Sequence, residues 1–162
     1  MDDWIESFRQ TIDRAYERLL QIAEEQSERE RAPGKWSPKE TLGHLIDSAA
    51  NNHLRFVRAQ FTDDLIFPGY AQADWVRVQH YSERPWRQLV ELWRQYNLHL
   101  AHVMSQVPEE ARTKSRARHN LHQLAWQMVA ENAPVTLDYF MRDYIGHLQH
   151  HLDQIFPQQA TS

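Results

Sequence analysis

The stretch "WSPKETLGHLIDSAANNHLRF", residues 36–56, decides the fold. Ser37 stands at a helix N-cap position, Pro38 at the first helical position and Glu40 three residues past the cap. That is a capping box with a proline whose missing N–H is not needed there. Leu42, Ile46, Ala49, His53, Phe56, Val57 and Gln60 then recur on one face. The periodicity predicts a helix running to about Phe61. An apolar stripe of this length has to be buried against other helices.

Working outward, the same reading finds three more long helices. The first is predicted over residues 3–28, with Trp4, Phe8, Ile12, Ala15, Leu19 and Ile22 at helical spacing, before Pro33-Gly34. The third starts at Pro85-Trp86 and runs to about Gln106, and the last runs from a Thr136 cap to Phe156, before Pro157. Short helical pieces are predicted around "AQADWVRVQ" and over residues 121–130. "VPEEARTKSRARHN" reads as a polar, solvated connection, with an anion contact through its four basic residues as the alternative. The class is therefore all-α: a four-helix bundle of up-down helices, with short extra helices in the connections. Residues 1–162 read as a single domain, since 162 residues suffice for one core.

Composition excludes several functions. The net charge of −4 gives no reason to expect nucleic acid, and no apolar run is long enough for a membrane span. "MDDWIESFRQ" lacks a secretory apolar region, so a cytoplasmic protein is expected. Cysteine is absent, which removes disulfides, thiolate metal sites and a cysteine nucleophile together. Histidine, by contrast, occurs ten times.

Three histidines crowd "HLQHH", residues 147–151. At about 100° per residue, His151 lies roughly 60° and His147 roughly 100° from the centre of the core stripe, on the same side. His150 lies about 160° away and reads as a surface residue. His147 and His151 are an i, i+4 pair whose rings can converge on one ion, or simply two boundary histidines. A metal site needs a third donor from another helix. His53 reads as a satisfied core histidine, and His99 and His102 cannot both face the core. His44 sits roughly opposite the Leu42/Ile46/Ala49 stripe, a position that reads as solvent. Yet His44, Ser48, Asn51 and Arg55 fall at i, i+4, i+7 and i+11, a seam suited to a polar cleft between helices. The wheel leaves both readings of His44 open.

"WSPKETLGHLIDS", "NNHLRF" and the C-terminal "HLQHHLDQI" together resemble the DinB-like (DinB/YfiT) superfamily, over roughly residues 7–156. The resemblance implies a four-helix bundle, often a homodimer, with a divalent metal held by three histidines at one end. Matched position by position, those are His44, His147 and His151. Zn or Ni is the expected metal, with Fe, Co or Mn as alternatives, since imidazole suits all of them. Three imidazoles without a carboxylate are the ligand set of a catalytic rather than a structural ion. The activities implied are a thiol S-transferase using a low-molecular-weight thiol, a metal-dependent hydrolase, or a metal-binding interaction module without catalysis. Ser48, Asn51, Asn52 and Arg55 are substrate-side candidates, with Arg55 facing either a substrate carboxylate or phosphate or a surface salt bridge. Asp47 and Asp143 are candidates for fixing a histidine tautomer. Since imidazoles must shed protons to bind and titrate near 6.5, metal affinity is expected to weaken below about pH 6.

Overall fold

Ser37 caps its helix as its position predicts, its Oγ accepting the N–H of Glu40 at 3.3 Å, with Pro38 the first helical residue. The computed structural model describes residues 3–156. In chain order its helices are α1 (Asp3–Leu20), α2 (Glu24–Ser27), α3 (Pro38–Arg58), α4 (Gln72–Gln79), α5 (Trp86–Gln106), α6 (Glu109–Thr113), α7 (Leu121–Leu124) and α8 (Leu137–Ile155), with a 3₁₀ turn at Tyr81–Glu83. Two isolated β-bridges are the extended pairings among the described residues. None of the described helices is long and apolar enough to cross a membrane.

The long helices form the expected bundle, and cross-contacts give their directions. The start of α5 meets the end of α1, where the Trp86 indole N–H donates to the Leu19 carbonyl at 2.9 Å, and Arg94 pairs with Asp13 further along. Those two helices are antiparallel. Helix α3 crosses α8 antiparallel, with Phe56 on Tyr144 at one end and His44 on His151 at the other. It runs parallel to α5, with Lys39 beside Ser82 just ahead of that helix and His53 beside His99 within it. The four therefore run up, down, down, up. Two parallel neighbours need a long crossover, and residues 59–85 supply it, carrying α4 and the 3₁₀ turn back along α3.

Tyr144 ties the four helices together. Its ring stands edge-on to Phe8 of α1 and Phe56 of α3. Its hydroxyl donates to Asn97 Oδ1 of α5 at 2.5 Å, and Asn97 Nδ2 donates to the Trp93 carbonyl. Both buried polar groups are thereby satisfied, as burial requires.

Three expectations need correction. Helix α1 stops at Leu20, not Glu28, and a break at residues 21–23 separates it from α2, which begins at Glu24. The Glu24 carboxylate accepts the Trp86 backbone N–H at 2.9 Å and pairs with Lys39, whose ammonium is buried and also meets Glu28. Proline precedes Trp86 and offers no side-chain cap, so the remote carboxylate fills the N-terminus of α5. Helix α7 ends at Leu124, not Ala130, because Asp143 takes the N–H groups of Trp126 and Gln127 at 2.8 Å each. The basic connection is also not freely solvated. It contains α6, and Arg112, Lys114 and Arg118 pair with Asp138, Asp63 and Asp64, while buried Arg116 donates to the Ala59 carbonyl. The Thr136 cap of α8 is present, its side chain accepting from the Tyr139 N–H, whereas Pro157 lies outside the described residues.

Helix α3 is covered on more than one side, and Gly43 makes one of those contacts possible. A Cβ at that position would lie 2.2 Å from Cδ2 of Tyr81, deep inside van der Waals contact. Tyr81 in turn donates its hydroxyl to Asp47 at 2.6 Å. Gly43→Ala must push the 3₁₀ turn off α3. Overpacking of this kind costs about 1–3 kcal/mol. The variant should unfold at a lower urea concentration than the parent. An unchanged midpoint would show that the turn contributes nothing to the packing of α3.

Candidate metal centre

His44 comes from the second turn of α3 and is fully buried. Its wheel position reads as solvent only if one face of α3 is covered. In the fold α5, α8, α4 and the 3₁₀ turn all pack on α3, and every residue from 41 to 49 is buried. His147 and His151 project from α8 on the i, i+4 face and meet His44 across the α3–α8 interface. The ring centroids stand 5.2 Å (His44–His147), 4.7 Å (His44–His151) and 4.6 Å (His147–His151) apart. One ring nitrogen of each lies within 4.8 Å of the others. Trp36 closes the far side, its ring 5.2 Å from that of His44.

The donor set fits a divalent ion. His44 Nε2 and His147 Nε2 are 3.3 Å apart. Two nitrogens each at 2.0–2.1 Å from a tetrahedral ion stand about 3.3 Å apart. The third ring has a fixed tautomer. His151 Nδ1 donates to Gln154 Oε1 at 2.9 Å, which leaves Nε2 with a free lone pair. Gln154 is held in turn, its Nε2 donating to His150 Nε2 at 3.1 Å. So exposed His150 is outside the triad, as the wheel indicates, yet orients it through one side chain. Gln154 escaped the sequence reading; its signal was an amide three residues after His151, within reach of that ring on one helix face.

Burial keeps the rings neutral. It lowers His147 to about 3 and His44 to about 4, and the neighbouring His151 pushes both further in that direction. His151 is lowered too, again chiefly by burial. All three are therefore unprotonated and ready to ligate at pH 7. The expected onset of proton competition near pH 6 moves lower, because the folded rings resist protonation.

The polar candidates divide. Ser48, Asn52, Arg55 and Asp143 line a cavity of about 470 Å³ together with His147 and His151. Asn51 does not; its Nδ2 donates to the Asp47 carbonyl on its own helix. Neither aspartate touches a histidine, contrary to the tautomer-fixing role expected of them. Asp47 faces the crossover and accepts from Tyr81 and Gln79, at 2.6 and 2.7 Å. Asp143 has one carboxylate oxygen on each of the Trp126 and Gln127 amides. Tyr70, which the sequence gave no reason to select, also lines the cavity from the crossover, and burial pushes its hydroxyl up to about 12.

His44→Ala and His147→Ala are each expected to abolish stoichiometric metal by elemental analysis. Gln154→Ala should weaken metal binding by about 10–100-fold while the fold, read by circular dichroism, is retained. A second expectation concerns pH. Unfolded histidine takes up its proton near 6.5, whereas folded His44 and His147 wait until about 4 and about 3. Between those limits the unfolded state binds more protons, so stability falls as pH falls. With a chelator present, the urea midpoint should drop from pH 7 towards pH 4, and the slope should lessen in His147→Ala. Equal slopes in the two proteins would rule out a buried neutral ring at that position.

The family model of the DinB superfamily matches residues 7–155. A solved structure with a TM-score of 0.72 and 14% identity covers 96% of this chain and 86% of its own. It is YfiT from Bacillus subtilis, described as a probable metal-dependent hydrolase with an unusual four-helix bundle topology. At that identity the likeness carries the fold alone. No curated protein sequence matches the chain. With the family matched over nearly its whole length, the chain belongs to the DinB superfamily.

Proposed function

We propose that this protein is a divalent-metal-dependent S-transferase that joins a low-molecular-weight thiol to a small electrophile. The observation that carries the reading is a neutral three-imidazole cluster, two of whose rings, His147 and His151, line a cavity. The chemistry a divalent ion supplies there is Lewis acidity, which brings the pKa of a bound water to about 7 and deprotonates a thiol outright. His44, His147 and His151 would hold the ion without diminishing its charge, because each ring is neutral. The cavity beside His147 and His151 would receive the thiol, and its walls would orient the electrophile. The sulfur forms a C–S bond as the carbon–leaving group bond breaks, the leaving group keeps the electron pair, and the thiol's proton passes to solvent.

One feature favours a thiol over water as nucleophile. Asp143, the carboxylate lining the cavity, has both oxygens engaged by backbone amides and is poorly placed to serve as a general base. A thiol would need no such base, and a water would be left with only the acidity that a bound ion supplies. Hydrolysis is the second reading, favoured by the likeness to YfiT and its description.

The test is a panel of low-molecular-weight thiols against chlorinated and epoxide electrophiles, with metal content measured alongside. Turnover that requires the thiol and is lost in His44→Ala is the expected result. Turnover independent of thiol would establish the hydrolase instead. No turnover under either condition would leave a metal-binding module without catalysis and sink both enzymatic readings.

A further inference from the structure

We propose that Arg55 seats an anionic oxyacid group of the substrate, so that the molecule handled at the histidines carries a carboxylate or a phosphate. The inference rests on the metal-enzyme reading above and narrows its substrate class. Arg55 lies on the same seam of α3 as His44 and is only 6% exposed. Its Nη2 donates to the Pro68 carbonyl at 3.0 Å and its Nη1 reaches Asn52 Oδ1 at 3.5 Å. A guanidinium has five N–H donors, so most remain for another acceptor. The surface salt bridge that the sequence also allowed does not form; no ion pair to Arg55 exists among the described residues.

The contrast with Lys39 is informative. That cation is buried as deeply, and the fold provides Glu24 and Glu28 for it. Arg116, also buried, has Asp63 as its electrostatic neighbour. The titratable neighbour of Arg55 is instead Tyr70, whose ring centroid lies 5.9 Å from the guanidinium carbon. Burial keeps its hydroxyl neutral and able to donate. Leaving a guanidinium buried without an anion is costly, and a bidentate oxyanion repays that cost best. Arg55 opens on the cavity it shares with His147 and His151. Asp143, the acidic residue on the same wall, is turned to the Trp126 and Gln127 amides. One cavity thus offers a fork for an oxyanion and a triad for the reacting atom.

Isothermal titration of the full-length, as-purified protein at pH 7.5 with succinate and with inorganic phosphate tests this. At least one of the two should bind at one per chain, and which one does separates a carboxylate from a phosphate substrate. Arg55→Gln should weaken binding at least about tenfold with metal content unchanged, and Arg55→Lys, which keeps the charge but loses the fork, should fall between. Arg55→Lys also covers the case in which Arg55→Gln does not fold. Absence of binding by both anions to the parent, or equal affinity in parent and variants, overturns the proposal. So does binding that disappears with the metal in His147→Ala yet is unaffected at Arg55, since the anion then sits on the ion. Elemental analysis reports separately on the metal reading. Arg55-dependent anion binding in a protein that holds no metal sinks that reading and leaves the anion seat standing.

Discussion

Three imidazoles can share one small space only if none of them carries a proton. The α3–α8 interface meets that condition by burial: His44 is inaccessible to solvent, and His147 and His151 are lowered in pKa by the same desolvation. The antiparallel crossing has to be held firmly for this to work, and the hold is at its other end. There Phe56, Phe140 and Tyr144 stack edge to face, and Tyr144 reaches α1 and α5 as well. Loosening that aromatic knot would let water reach the rings and return them to ordinary histidines.

The direction of the helices explains where the remaining site residues come from. Because α3 and α5 run parallel, the chain must travel the length of the bundle between them, and it does so across the face of α3 that holds Asp47 and Ser48. Tyr70, Gln79 and Tyr81 are all crossover residues. The closeness of Tyr81 to Gly43 shows how tightly that segment lies on the helix. A simple alternation of directions would have allowed a short hairpin there, without Gly69, Tyr70 and Gln72 on the cavity wall.

Much of this was legible in the sequence. Ser37-Pro38 and Thr136 mark real helix starts, and the i, i+4 spacing separated His147 and His151 from His150. His44 was not legible from periodicity, since a wheel assumes one buried face and α3 has several; the family motif supplied it. The errors share one cause. Glu24, Asp47 and Asp143 were read through their neighbours in sequence, but each binds a group far along the chain: the Trp86 amide, the Tyr81 hydroxyl and the loop at Trp126. Single-helix reasoning ends helices and assigns polar partners by local rules. Tertiary hydrogen bonds override both.

The placement of the two aspartates also bears on the chemistry. A carboxylate against the triad would neutralise part of an ion's charge and blunt its pull on a nucleophile. Each aspartate near the site is instead committed to a structural task, Asp47 on the crossover and Asp143 on the loop that follows α7. The result is a chain of net charge −4 in which the cavity lined by His147 and His151 presents a guanidinium and neutral imidazoles. Such a site suits electron-rich groups at both ends, which is the basis for proposing a thiol at the triad and an oxyanion at Arg55. The same bias would disfavour cationic molecules, which would meet the buried guanidinium of Arg55 on the cavity wall.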